Sequence, residues 1–473
     1  MDNEKEKFVE EQGKEEEPEK VENPTQKAEN PHLPPINDRK EPTKDKKKKL
    51  KKLWNALAAI GLAAVSFLVG IGVAPLFMDE EMLALMRIKQ KIQDVYYEDV
   101  DDEQFYKVIF DAINDDLLDP YSTYMTKEEY YANMVQATGQ RAGTGITYAT
   151  LEEAPEVYVG MVKGNSPADL AGLQSGDKIV EYGTSLTSLT AVSSVENLHA
   201  FVTAQAEDVP FYFTCEREGT RQTVTLSNSV FMENYVFYRT GDVSYAFTGN
   251  EALTLTTRDN PIEGLPQDTA YIQLTRFYGN AGKQFATAMN LFLEAGKKNL
   301  VLDLRGNGGG YMDVLTEIGA YFCKGTTYSP TIAYAENKKG KKEFFNAKIG
   351  LYERYFQEDS QIYVLADVNS ASASECLIGC MVDYGALPLE NICLTKIGDV
   401  AKTYGKGIMQ TTYAFWLGYT DGIRLTTARV KWPKSGRCIH GVGLTPTDGC
   451  KTADYAFGYD TEILRGLNAL GIL

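Results

Sequence analysis

Three short stretches hold side chains whose types and placement could carry out acyl transfer. The first is Asn369-Ser370-Ala371-Ser372-Ala373-Ser374-Glu375, which follows an apolar, strand-like segment and precedes a helical one. A serine on such a turn sits at a helix N-terminus, where free backbone N–H groups and the helix dipole can stabilise negative charge. That placement suits a nucleophile. The same residues also have a purely structural use, because Ser372 with Glu375 three positions later is a capping-box pattern. Asp383 follows eleven residues after Ser372. That is close to three turns at about 3.6 residues per turn, so both fall on one helix face. An aspartate ending a helix before Tyr384-Gly385 is the plain alternative.

The second stretch is Gly405-Lys406-Gly407-Ile408-Met409-Gln410. Glycines on both sides of a lysine permit close backbone approach and a tightly placed amine. Such an amine works as a base only if desolvation lowers its pKa toward the working pH; otherwise it is a surface turn lysine. The third stretch is Asp303-Leu304-Arg305-Gly306-Asn307-Gly308-Gly309-Gly310, between a strand-like and a helix-like segment. Its glycine-rich turn can present N–H groups to an oxyanion. Neither the P-loop pattern nor a GxGxxG fingerprint is present, which argues against nucleotide binding. Only three histidines occur, His32, His199 and His440, and no Gly-x-Ser-x-Gly elbow accompanies them. A lysine base is therefore favoured over a Ser-His-Asp triad.

These stretches need elements to hold them. The 473 residues, 43% of them hydrophobic, suffice for two or three domains with a sizeable core. A net charge of -17 argues against nucleic acid as a partner. The seven cysteines form no CxxC pair, so no zinc site or disulfide framework is indicated. Cys438 and Cys450 flank a loop and could pair, although their spacing specifies nothing.

Residues 1–52 are rich in Glu, Lys and Pro and end in a basic run, which reads as a disordered cytoplasmic tail. Residues 53–77 carry no charge over 25 positions, enough for one transmembrane helix. Lysines before it and Asp79, Glu80 and Glu81 after it put the N-terminus in the cytoplasm and the rest outside the cell membrane. Residues 79–135 read as a helical region. Residues 142–228 form a compact unit of short strands. Residues 229–473 alternate strands (270–277, 299–306, 362–368, 424–430) with helices (280–295, 313–323, 373–384), which predicts an α/β (α+β) core.

At these residues the chain resembles the carboxyl-terminal processing peptidases, the S41 serine proteases. LDPYSTYMT, NSPADLAGLQSGDKI, LVLDLRGNGGG, NSASASE, GKGIMQ and LTTARVKWPKSGRCIHGVGLTP occur in the family's order over about residues 83–450. The resemblance implies a PDZ-like domain at 142–228 inserted before a peptidase core at 229–473. It implies Ser372 as nucleophile, Lys406 as base, Gln410 as the residue orienting that base, and Asp383 as a supporting acid. Oxyanion donors would be Gly308 or Gly309 together with Ala373. The loop Gly143-Thr144-Gly145-Ile146 would take a substrate's C-terminal carboxylate, with the peptide added to a sheet edge. No metal or other cofactor is called for. Ser372 and Lys406 stand 34 residues apart, longer than is usual in the family, with the extra residues near 387–403; residues 229–265 are also expanded. The expectation is a membrane-anchored serine endopeptidase that cleaves near the C-termini of extracytoplasmic proteins. A catalytically inactive, PDZ-type tail-binding scaffold is the alternative from another class, and a hydrolase of non-peptide substrates is a third.

Overall fold

The computed structural model describes residues 44–73, 79–151, 154–249, 254–415, 421–456 and 459–473. The chain divides into two units, residues 1–101 and residues 102–473.

The first unit contains the helices Lys44–Val73 and Glu80–Val95. The second of these starts at an N-cap, where Asp79 accepts a hydrogen bond from the Met82 amide at 2.8 Å. Residues 44–52, expected as part of a disordered tail, are helical and run without a break into the apolar segment. Residues 1–43 of that tail and residues 74–77 of the expected span lie outside the described residues. Among the described residues, no helix is long and apolar enough to cross a membrane. Leu53, Trp54, Leu57, Ile60, Leu62 and Val65 are all exposed on the first helix.

The second unit is built on an eight-stranded mixed sheet. Its strand order is 254–258, 244–248, 236–239, 269–274, 299–303, 362–366, 392–396, 451–454. The last five run parallel, the first four of them linked through helices, and the first three strands of the sheet add to them antiparallel. Side chains alternate across the sheet, as the two-residue strand period requires. Leu300 and Leu302 enter a core with Phe285, Leu315 and Leu377 from the helices Ala281–Glu294, Met312–Gly319 and Ala373–Asp383. Val301 points the other way, into a core with Ile463 and Leu467 from the C-terminal helix Tyr459–Leu470.

A second, antiparallel sheet joins the strands 123–125, 422–431, 331–337, 342–346 and 408–414. Its first strand lies within the region 79–135, read from the sequence as helical. Thr123–Met125 pairs with residues far along the chain, Thr123 opposite Arg424 and Met125 opposite Gly422. Such long-range pairing overrides local propensity. The preceding helix, Asp102–Ala112, closes in a π turn at Ile113–Leu117 rather than continuing as α-helix.

Residues 146–226 form a third, six-stranded sheet with its own core, in which Val157, Val159, Leu198, Phe211 and Phe213 are buried. The chain enters and leaves through a two-stranded ribbon, Gln140–Gly143 against Ser229–Met232. An Arg258–Asp169 ion pair at 2.7 Å fastens this domain to the core. So does Asn165, whose Nδ2 donates to the Met232 carbonyl at 2.8 Å. All seven cysteines carry free thiols, including Cys438 and Cys450.

Candidate active site

The glycine turn and the serine loop leave the C-terminal ends of adjacent parallel strands, Asn299–Asp303 and Ile362–Ala366. Open α/β sheets bind ligands at this edge. The loop Asp367–Ser372 is closed by its own polar groups. Asp367 accepts from the amides of Asn369 and Gly306, at 2.9 and 3.0 Å. Ser370 is fully buried, takes the Asp367 amide at 2.9 Å and donates to the Leu304 carbonyl at 2.8 Å. Ser374, also fully buried, donates to the Asn307 carbonyl at 2.8 Å. Two of the three serines are thus spent on structure, and Ser372 is the one left partly exposed. Its backbone has φ 59 and ψ -114, in the positive-φ region that serine rarely occupies. Strain of this kind costs on the order of 1–3 kcal/mol and persists only where surrounding contacts enforce it.

Glu375 supplies much of that enforcement. Its carboxylate is buried and accepts four hydrogen bonds. Oε2 takes the Ser372 amide at 3.0 Å and the Lys406 amide at 2.8 Å. Oε1 takes the Thr403 hydroxyl at 2.6 Å and the Gly405 amide at 2.8 Å. One oxygen therefore ties the serine turn to the lysine loop. Burial pushes the Glu375 carboxyl above its ordinary value, and the four donors pull it back. Each oxygen faces two donors, an arrangement that favours the ionised form. In sequence this residue reads only as a helix cap. The cap is real, and it is also the hub of the site.

The residues between Ser372 and Lys406 are absorbed by a helix, the strand Ile392–Lys396 and a reversal at Ile397–Val400. Residues 403–407 then return to the carboxylate. Gly405 has φ +88, and a methyl on it would stand 2.9 Å from the Gly443 amide. A methyl on Gly407 would stand 2.8 Å from the His440 amide. Both glycines are required by the close approach of the 438–443 loop. His440 lies in that loop, and among the described residues its Nδ1 has no hydrogen-bond partner. His199 belongs to the Val195–Thr203 helix of the six-stranded domain.

Burial holds the Lys406 amine below its ordinary pKa, the Arg424 guanidinium lowers it further, and Asp119 acts in the opposite direction. Its Nζ lies 4.8 Å from the centre of the Tyr121 ring. Gln410 lies on the strand Ile408–Ala414, and its Nε2 donates to Thr426 Oγ1 at 3.1 Å. Thr426 in turn donates to Asp119 at 3.2 Å.

The glycine turn faces the serine from the other side. Asn307 is fully buried and donates to the Leu274 carbonyl at 2.7 Å. Its own carbonyl takes the Ala371 amide at 3.0 Å. Its Oδ1 takes the Gly309 amide at 2.9 Å, so that N–H is already committed. A methyl on Gly309 would stand 2.8 Å from Ala371 O, Ala373 N and Ser372 Cβ. Gly308 is exposed, and among the described residues no hydrogen bond takes its amide or that of Ala373. Ala373 opens the helix and has no intrahelical partner. Gly308 and Ala373 are the pair suited to hold an oxyanion.

Asp383 does not reach this site. It ends the Ala373–Asp383 helix, roughly 16 Å from Ser372 at about 1.5 Å rise per residue. Its Oδ2 caps a surface turn, accepting from the amides of Lys434 and Ser435, both at 2.8 Å. A shared helix face fixes direction and leaves distance open.

In the six-stranded domain, Ile146–Leu151 is an edge strand that, among the described residues, pairs only with Ala154–Val162. Ile146 and Tyr148 pack with Leu198 and Val202 of the neighbouring helix. In the loop before this strand, Gly143 and Gly145 have φ of +108 and +79. The carbonyls of Thr144 and Gly145 accept from Ala168 and Lys163, at 3.1 and 2.9 Å. The Ile146 amide meets Thr144 Oγ1 at 3.4 Å, and among the described residues no hydrogen bond takes the amides of Thr144 and Gly145.

Comparison with known proteins bears on this geometry. Residues 268–448 match the family model "Peptidase family S41". Over 371 residues the chain is 26% identical to the "Probable CtpA-like serine protease" of Staphylococcus saprophyticus, covering 78% of this chain and 65% of that one. It is 27% identical over 387 residues to the carboxy-terminal processing protease CtpA of Bacillus subtilis, covering 80% and 71%. The chain thus spans just under two thirds of the staphylococcal relative's length. Among solved structures, an S41-assigned chain from Bacteroides fragilis aligns at a TM-score of 0.50 and 16% identity, covering 80% of this chain and 90% of that one. That likeness concerns the mixed α/β fold. The matched residues enclose the glycine turn, the serine loop and the lysine loop, and over that stretch the chain is similar to peptidase family S41.

Proposed function

We propose that this chain is a membrane-anchored serine endopeptidase that cleaves near the C-termini of extracytoplasmic proteins, with Ser372 as nucleophile and Lys406 as general base. One observation carries the reading: a single oxygen of Glu375 holds the amides of both residues, so the two backbones cannot separate by more than those two bonds allow. The lysine is desolvated, which favours the neutral amine a base needs. It takes the Ser372 proton as the serine oxygen attacks the peptide carbonyl. Gly308 and Ala373 donate to the resulting oxyanion, the amine returns the proton to the leaving nitrogen, and water releases the acyl group.

The six-stranded domain supports a PDZ-like reading. An open strand edge beside a helix, preceded by a loop with unpaired amides, fits strand addition of an extended tail with its carboxylate on those amides. The anchor is supported by the uncharged run at 53–77 and by the exposed apolar side chains on its helix, which water would disfavour.

The test uses the full chain in lipid vesicles. A fluorophosphonate probe labels Ser372, and peptides with free C-termini are cleaved, by the wild type and not by Ser372→Ala. Retained cleavage by Ser372→Ala removes the nucleophile assignment. Tail binding by a wild type that neither labels nor cleaves leaves a binding scaffold instead.

A further inference from the structure

We propose that Tyr121 is a positioning residue for the lysine base: its ring closes over the Lys406 amine, and the turn that carries it, Asp119–Ser122, also holds Gln410. The inference rests on the serine–lysine reading and adds to it an element from outside residues 268–448.

The ring lies within the range of about 6 Å over which an aromatic face attracts a cation. It is held from three sides. Its hydroxyl donates to the Tyr404 hydroxyl at 3.1 Å, and the two rings meet edge to face at 6.4 Å between centroids. Tyr404 is fixed by its own amide, which donates to the Ser370 carbonyl at 3.0 Å, two residues before the nucleophile. The backbone is held by Asp119, whose Oδ1 takes the Tyr121 amide at 2.9 Å. The other Asp119 oxygen takes the Ser122 hydroxyl at 2.9 Å, and that hydroxyl accepts from the Thr426 amide at 2.9 Å. Because Thr426 also holds Gln410, this one turn grips both the amine and the amide beside its loop.

The ring acts on the amine in two opposed ways. It excludes water, which favours the neutral form, and its π face favours the ammonium. The groups facing Lys406 are the Arg424 guanidinium from the 422–431 strand, the Asp119 carboxylate from the turn, Glu375 at its amide, and the Tyr121 ring. The Tyr121 phenol is pushed up to about 12, chiefly by its bond to Tyr404, and stays neutral at working pH. Burial is the leading influence holding the Lys406 amine down, and the Tyr121 ring is part of that cover.

Three substitutions separate these effects: Tyr121→Phe keeps ring and exclusion, Tyr121→Leu keeps exclusion alone, and Tyr121→Ala loses both. The full chain is titrated twice. Acetylation of Lys406 by acetic anhydride, followed by peptide mass spectrometry, reads the amine directly; fluorophosphonate labelling reads Ser372. Tyr121→Phe should titrate as wild type, Tyr121→Leu at lower pH and Tyr121→Ala at higher pH. At neutral pH, Ser372 labelling of Tyr121→Ala should fall on the order of tenfold, the loss of free amine for each unit the titration rises. An unchanged Lys406 titration in Tyr121→Ala overturns the inference. If that variant does not fold, identical titrations of Tyr121→Leu and Tyr121→Phe overturn it. A wild type whose Ser372 never labels defeats the protease reading, while the Lys406 titration still decides the role of Tyr121.

Discussion

Glu375 gives the sharpest single perturbation. Glu375→Gln keeps the shape of the side chain and one carbonyl oxygen, which can retain two of the four hydrogen bonds. The new NH₂ must then face two N–H or O–H donors, because both carboxylate oxygens are occupied by donors only. Two buried donors lose their acceptor at about 1–3 kcal/mol each. With some relaxation, a total of about 3 kcal/mol is expected. For a cooperative unit spanning residues 102–473, this lowers Tm by about 4 °C. The effect on chemistry should be larger than this fraction of stability implies. Ser372 is in a strained conformation and Lys406 is half-buried, and if the two act as nucleophile and base, a displacement of about 1 Å between them can cost on the order of a hundredfold in rate. The assay pairs calorimetry with kcat and KM on a C-terminal peptide. The expected result is a fall of roughly a hundredfold in kcat with KM little changed. Wild-type kcat together with wild-type Tm would refute the view that this carboxylate sets the site's geometry.

Three further expectations follow from the same contacts. Gly309→Ala places a methyl 2.8 Å from the serine turn at φ +94 and should abolish cleavage and destabilise by about 1–3 kcal/mol, whereas Gly308→Ala, 3.9 Å from the nearest heavy atom its methyl would meet, should fold normally; peptide turnover and thermal melts check both. If Lys406 is the base proposed above, it works when neutral; its pKa lies below the ordinary lysine value, so kcat/KM should rise with pH through an acid limb below the usual lysine range, and Lys406→Arg, charged throughout, should be inactive at every pH tested. Asp383→Asn should lose about 1 kcal/mol of stability with its surface turn while cleaving at a near-wild-type rate, and a large loss of kcat would return Asp383 to the site.

The chemistry-bearing turns were legible because each announces itself locally: glycines where backbones must touch, a serine where a strand gives way to a helix. What the sequence hides is the third dimension of each signal. Ser372 and Glu375 read as a cap, and nothing local says that the other face of that carboxylate receives Thr403, Gly405 and Lys406. Asp383 has the right angular phase and the wrong distance. Thr123–Met125 is too short to announce a strand and exists because Gly422–Lys431 lies beside it. The core strands were readable for the opposite reason, since a parallel strand buried on both faces is a continuous apolar run.

The long separation of Ser372 and Lys406 illustrates how little the chain distance matters once a buried carboxylate spans it. Extra residues between the helix and the lysine loop can lengthen the path outward without cost to the site, provided residues 403–406 return to the same two oxygens. Leu444 reinforces that return, its amide and carbonyl both bonded to Thr403, at 2.8 and 2.9 Å. The 438–443 loop then fills the space that Gly405 and Gly407 leave open. Ser372 and Lys406, the proposed nucleophile and base, are thus registered through backbone amides, which have fewer degrees of freedom than the lysine side chain. A lysine has four rotatable bonds; fixing its amide and covering its amine leaves few rotamers available. On this view, insertions at 397–400 should be tolerated, and single changes at Thr403 or Glu375 should not.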